Sequence, residues 1–536
     1  MVPFKSYLTG GCAKRLMLAI PLLACGEMSA VVCEMPDSSF LNLGEFVGTD
    51  AFYARGVYGQ GVKVANLELY VASKEEDDSG YVAFLKDAAY TTYCPEGTTE
   101  RFGLPHPYQT LSVMAGYNVD FENQAVSTGL AHQAEYVSGQ VGENSMFISD
   151  RCVLSTYGEF FTNGTDVISS SWKTSAGNSF MTGAVLDSYA AKNPHTVFVA
   201  AAANEGEAGP GHVSSPYKNM NVISVGALDD ASNFGSVAKT SSYGPNDFYN
   251  PVTGETVKGV VSAVDIAAPG TVYTVLRDGT LGNSRGTSFA APVVSSAAAL
   301  MISHSRFASM PEDSRDARLI RAVLLNSADK IAGWDNGAEL RDFVGADGKV
   351  HSGVLSTSQS LDYRSGAGAL NAAEALAQYD NFGNTSFLGS VGEGGSYSYA
   401  FRADGAGMEF AATLCWMVGS DVSGVSYDES GDVSAIDADF SHFSNLDLRL
   451  WHVGSDGEML VAQSVSEYNN VEHIFLELSS GGEYRLEVVF DGMVYGDSPE
   501  ETYAIAWNLS AVPEPSSCAV LFGAAALVFA ALRRRN

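Results

Sequence analysis

Arg285-Gly286-Thr287-Ser288-Phe289-Ala290-Ala291-Pro292 is the stretch from which the rest of the chain can be read. It runs into the alanine-rich residues 293–302, and the pattern predicts a long helix that starts at the serine, with Pro292 in its first turn. A helix N-terminus carries unbonded N–H groups and partial positive charge, which favour an oxyanion beside Ser288. Gly286 lets the backbone approach a substrate carbonyl that a side chain would obstruct. The whole arrangement reads as a nucleophilic serine, against the simpler reading of a serine that caps a helix.

Around this stretch, residues 49–380 alternate short apolar runs with helical periods. Strands are expected at 62–67, 135–137, 166–168, 196–200 and 221–225. Apolar strands separated by helices predict an α/β domain whose parallel sheet is flanked by helices, with functional residues at the carboxyl ends of the strands. The full length of 536 residues leaves room for a second domain. Acidic residues outnumber basic ones 62 to 30, a net charge of −32 that repels phosphate backbones and argues against nucleic acid as a partner. The seven cysteines form no Cys-x-x-Cys pair, which excludes zinc ribbons and thioredoxin-type redox motifs.

Residues 286–292 resemble the nucleophile motif of the subtilisin-like serine proteases, the subtilases. Other landmarks follow in that family's order. Residues 199–206 (VAAAANEG) resemble the strand and turn with the oxyanion-hole asparagine, here Asn204. Residues 221–227, 242–245 and 265–270 resemble the segments between asparagine and serine, and 366–372 the closing motif. The resemblance implies a subtilisin-like sheet and an endopeptidase that cleaves protein or peptide substrates.

It also implies an acid and a base ahead of the serine. His106 has the right register as the base, followed by a small-residue helix that ends in Ala115-Gly116, although Pro107-Tyr108 replaces the family's Gly-Thr. Pro107 suits a first helical position, and Leu111 with Met114 or Ala115 a buried face. His132 falls where the family usually has proline and is the weaker candidate. Glu68, at the end of the first strand, stands where subtilases carry aspartate. It can hold the imidazole, but being one methylene longer it needs His106 farther away or a shifted backbone. Asp77 and Asp78 lie beyond the strand in a charged run. Sedolisins use a glutamate too, but Asn204 and His106 favour the subtilisin type.

Ser171, Trp172 and Lys173 occupy the place where subtilases pair with an extended substrate, and Ala203 replaces the glycine before the asparagine. Their bulk suggests a narrow cleft with a restricted first pocket. The competing function is a catalytically inactive subtilase fold that serves as a surface binding module. No cofactor and no metal site is expected; acidic loops leave calcium open, with no recognisable ligand spacing.

Both termini read as targeting segments. Lys5, Lys14 and Arg15 precede the apolar residues 16–25, and Ser29-Ala30 offers a cleavage point, so 1–30 is expected to be a signal peptide, or a lipoprotein signal ending at Cys25. No separate propeptide of subtilase length is expected between Ala30 and Thr49. Val512-Pro513-Glu514-Pro515, an apolar run and Arg533-Arg534-Arg535 resemble the PEP-CTERM sorting signal of Gram-negative bacteria over 511–536. That resemblance implies export, a transient C-terminal membrane helix, processing by an exosortase-type enzyme, and delivery to the cell surface, outer membrane or extracellular matrix. An ordinary single-span anchor is the alternative. Of the cysteines left in the exported body, Cys94 and Cys152 are the preferred disulfide pair, since both fall in one domain.

Residues 385–510 change character. Runs at 397–401, 446–451, 484–488 and 503–507 alternate with period two between Gly and Asp turns, predicting a smaller β-sandwich. Thr413-Leu414-Cys415-Trp416 and Gly482-Glu483-Tyr484-Arg485-Leu486 resemble C-terminal accessory domains of secreted bacterial proteases.

Overall fold

The computed structural model describes residues 43–511, apart from 73–88, 102–103, 121–124, 144–147, 174–179, 230–233, 278 and 346–347. The signal peptide, Asp77, Asp78, Cys33 and all but the first residue of the sorting segment lie outside the described residues.

The five expected strands form, and two more join them. In spatial order the central sheet is Ile266–Pro269, Ile223–Asp229, Val197–Ala201, Val167–Ser170, Lys63–Glu68, Glu135–Gln140 and Ala89–Tyr93, all parallel. The short strand Ser236–Val237 pairs antiparallel with Ile223–Asp229. The inner strands are buried along nearly their whole length, as a sheet covered on both faces requires.

The helix Thr287–Phe307 packs against four of these strands and against the helix Pro105–Met114. It is buried on all sides, which is why it is apolar all round; its alanines allow neighbouring backbones to come close. Pro292 is its sixth residue and so stands in the second turn, beyond the expected first.

The second unit is built from two sheets. One is four-stranded and antiparallel, in the order Ser386–Gly392, Glu500–Ala511, Met408–Trp416, Val471–Leu478. The other is seven-stranded and is centred on Val433–Gly454 and Gly482–Gly496. Period-two burial of Leu446, Leu448 and Leu450 against Leu486, Val488 and Phe490 fills the space between them. The hairpin Glu339–Val344 and Val350–Thr357, which leaves the chain within residues 49–380, also joins the larger sheet, by a parallel pairing with Gly457–Ser464. The chain therefore enters the second unit before residue 385.

The two units share a core. Cys415, Val471, Ala504 and Ala506 belong to the same buried cluster as the Ser288 helix. Across the junction Asn221 and Val418 exchange two hydrogen bonds of 2.9 Å. Arg321 donates to Asp265 at 2.6 Å and to Asn470 at 3.2 Å.

The expected Cys94–Cys152 disulfide is not formed; both thiols are free, as is Cys415. Cys152 is buried on the helix Asp150–Thr162, whereas Cys94, just past the edge strand, turns its thiol to Thr98 Oγ1 at 2.8 Å. Burial pushes the Cys152 and Cys415 thiols up to about 12, so both stay protonated and inert.

Candidate active site

Each candidate side chain arrives from the carboxyl end of a central strand or from a helix start beside it. Glu68 is the last residue of Lys63–Glu68 and is almost fully buried. His106 is the second residue of Pro105–Met114, so Pro107 is third, and Pro105 takes the first helical position that the sequence pattern assigned to Pro107. The His106 Nδ1 and Glu68 Oε2 lie 3.0 Å apart, so the longer acid reaches the ring without loss of contact. Burial works to lower the His106 pKa, but the Glu68 charge and hydrogen bond outweigh it and leave it raised. The ring also lies 5.6 Å from that of Phe289, the neighbour of Ser288.

Asn204 follows Val197–Ala201 on an exposed turn. Its Oδ1 accepts from the Thr287 N–H at 3.0 Å and from Thr287 Oγ1 at 3.1 Å, leaving Nδ2 as a donor for another group. A Cβ at Gly286 would come within 3.2 Å of the same Oδ1, and Gly286 has φ +133°, so contact and conformation both select glycine. Ala203 is forced to φ +84°, a region that glycine adopts without strain.

Ser171 holds the other side of the nucleophile turn. Its Oγ donates to the Ser288 carbonyl at 2.8 Å, and its own carbonyl accepts from Ser288 Oγ at 3.4 Å. In a regular helix the Ser288 carbonyl would accept from the residue four positions on, which is Pro292 and has no N–H. The Ser171 hydroxyl fills that place.

Trp172 does not narrow the cleft. Its indole is buried with Tyr157 and Phe198, and Nε1 donates to Tyr157 Oη at 3.2 Å. A tryptophan following an apolar strand joins the core whenever a polar partner for its N–H is available there. Lys173 instead forms an ion pair with Glu205. That pair links the segment after Ser171 to the segment after Asn204.

His132 stays apart, beside the stacked rings of Tyr53 and Tyr58, with Nδ1 3.1 Å from the Gly129 carbonyl. Among the described residues no group of three or more His, Cys, Asp and Glu side chains has the arrangement of a metal site. A cavity of about 290 Å³ lies at the junction of the two units, lined by Asp187, Asn219, Asn246, Arg321 and Tyr495 among others, and contains none of the candidate residues.

Two features escaped sequence reasoning. One is Ser171 as the partner that Pro292 makes necessary. The other is Thr110, whose Oγ1 donates to Glu68 Oε1 at 2.9 Å. Its position four residues after His106, hence on the same helix face, was the available signal.

Comparison with known proteins agrees with this frame. The Subtilase family model matches residues 112–368, which include Asn204 and Ser288 but begin after Glu68 and His106. The PEP-CTERM protein-sorting motif matches residues 511–535. Thermitase of Thermoactinomyces vulgaris is 30% identical over 276 residues, 51% of this chain and 84% of thermitase. Subtilisin DY of Bacillus licheniformis is 27% identical over 261 residues, 48% of this chain and 82% of that protein. A solved serine protease of Aeromonas sobria aligns over 86% of this chain and 91% of its own, with 16% identity and a TM-score of 0.44. The chain belongs to the subtilase family and is a subtilisin-type serine endopeptidase carrying a PEP-CTERM motif.

Proposed function

We propose that this is an exported, surface-sorted endopeptidase in which Glu68, His106 and Ser288 form the triad and Asn204 completes the oxyanion hole. The observation that carries the reading is the 3.0 Å contact of Glu68 with His106 Nδ1, which leaves the other ring nitrogen as the proton acceptor. His106 takes the Ser288 proton as Ser288 Oγ attacks a peptide carbonyl. The tetrahedral oxyanion then accepts from Asn204 Nδ2 and from the Ser288 N–H, which has no partner four residues back at the second position of its helix. Protonated His106 next donates to the leaving amine, and a water molecule repeats the sequence on the acyl ester. Ser171 keeps the nucleophile turn in place in this scheme; Lys173, paired with Glu205, and Ala203 border the first pocket, and the pair restricts it in place of Trp172. The sorting motif supports export and removal of the tail by an exosortase-type enzyme, with the protein delivered to the cell surface, outer membrane or extracellular matrix.

One observation favours the inactive reading. Ser288 Oγ donates to Ser171 and makes no hydrogen bond to His106 in this structure. Such catalytic bonds are often long without substrate and tighten in the complex. A fluorophosphonate probe separates the two. Labelling of residues 31–511 that disappears in Ser288→Ala and drops in Glu68→Ala supports the triad. A folded protein that never labels is the inactive binding module. Peptide libraries with small or large residues before the scissile bond test the pocket: equal cleavage of both would refute its restriction.

A further inference from the structure

We infer that Thr110 is a positioning residue for the acid, resting on the triad reading above: it holds Glu68 in the one rotamer that serves His106. A glutamate has one more torsion to fix than an aspartate, so an acid of this length needs a second anchor to stay on Nδ1. Its buried second oxygen also needs a donor of its own, because an unpaired carboxylate oxygen out of water is costly.

Thr110 meets both needs. It sits one helical turn after His106 and is fully buried. Its hydroxyl has four acceptors in reach: Glu68 Oε1 at 2.9 Å, Asn66 Oδ1 at 3.5 Å, the His106 carbonyl at 3.1 Å and the Pro107 carbonyl at 3.2 Å. The last two are the usual back-bonds of a helical threonine. Glu68 Oε1 is both the nearest and the charged one, so it takes the proton. Asn66, two residues before Glu68 on the same strand, sets the direction from behind. Its Nδ2 donates to Thr110 Oγ1 at 3.3 Å and to the Pro107 carbonyl at 3.2 Å, occupying a lone pair of the hydroxyl. A chain therefore runs from the Asn66 amide through the Thr110 hydroxyl to the Glu68 carboxylate, which His106 approaches from the other side.

The test compares Thr110→Val, which keeps the shape and removes the donor, with Thr110→Ser, which keeps the donor. Two readouts are used. The first is the pH profile of kcat/KM with a peptide substrate. Thr110→Val should lose roughly 10- to 100-fold in kcat, the worth of one hydrogen bond to a charged group, and its acid limb should move to lower pH as Glu68 loosens from His106. Thr110→Ser should restore both. The second is an NMR titration of the His106 ring nitrogens in Ser288→Ala, with and without Thr110→Val, which reads the same shift without any turnover. A fall in the His106 pKa on Thr110→Val supports the inference even if the wild type proves inactive, which would refute only the triad reading. A correctly folded Thr110→Val protein with an unchanged His106 pKa overturns it, as does a Thr110→Ser that behaves like Thr110→Val.

Discussion

Ser171 Oγ donates to the carbonyl of Ser288, the group that Pro292 leaves without a helical donor. The proline that shapes the nucleophile helix and the serine that follows the neighbouring strand are thereby one device. Ser171→Ala should orphan that carbonyl and cost about 1–3 kcal/mol in denaturant unfolding. Pro292→Ala supplies the missing N–H, so the double variant should be less destabilised than the sum of the single ones. Strict additivity in the double-mutant cycle would show the two residues to be independent.

Asn204 is oriented by Thr287, which occupies its Oδ1 and so presents its Nδ2. Asn204→Ala should therefore lower kcat by ~10²–10³ with KM little changed, the magnitude established for subtilisin itself. Steady-state kinetics decide this, and a loss confined to KM would assign Asn204 to ground-state binding.

Glu68 raises the His106 pKa, and the ring must be neutral to accept the Ser288 proton. Activity should thus fade on acidification at a pH above the ordinary histidine value of 6.5. Glu68→Gln should carry that limb below 6.5, because burial then acts without the opposing charge, and cut kcat steeply. The stability sign runs the same way. A folded pKa above the unfolded one contributes stability that is complete below the unfolded value and is lost as pH rises through the folded value. Melting of Ser288→Ala against pH, with and without Glu68→Gln, measures that contribution without autolysis.

Ala203 holds φ +84° next to the oxyanion asparagine. Left-handed backbone costs an L-residue ~1–2 kcal/mol, and glycine gives back ~0.4–1 kcal/mol through its freer unfolded chain. Ala203→Gly should therefore stabilise the fold by up to about 1.6 kcal/mol, read as a raised denaturation midpoint. A lowered midpoint would mean that the Ala203 methyl contributes more by packing than its backbone costs.

The second unit contributes Cys415, Val471, Ala504 and Ala506 to the core around the nucleophile helix, and Asn470 to Arg321. A chain ending at residue 384 should uncover that core and leave the Arg321 guanidinium short of a partner. It is expected to be insoluble or to lack a cooperative melt by near-ultraviolet circular dichroism. A cooperative melt like that of the longer chain would make the second unit a detachable module.

Residues that act through backbone and periodicity were legible in the chain alone. The five inner strands, the helix at Ser288 and the alternating strands after residue 385 each follow from local pattern, since burial on both faces, on one stripe or on one face leaves its own period, whereas the Asn204 turn was read through the resemblance to subtilases. Pairings between distant segments were not legible from local pattern. Glu68 and His106, 38 positions apart, were brought together only by the resemblance to subtilases, and nothing in either run shows that Ser171 meets Ser288, 117 positions on. Trp172 read as a cleft residue because it stands where subtilases pair with an extended substrate, and the polar partner that draws its indole inward, Tyr157, lies on a separate helix. Cys94 and Cys152 read as a pair because they share a domain; whether two thiols bond depends on where each side chain points. The hairpin of residues 339–357 shows the same limit at the scale of domains, since the unit a strand joins is set by the edge it meets. Sequence by itself determined which elements form and which residues carry reactive groups, because those follow from covalent geometry and the period of burial. Only the tertiary structure decided which oxygen of Glu68 meets His106, what supports the Ser288 carbonyl and which sheet each strand completes, because hydrogen bonds act over about 3 Å between groups the chain keeps far apart.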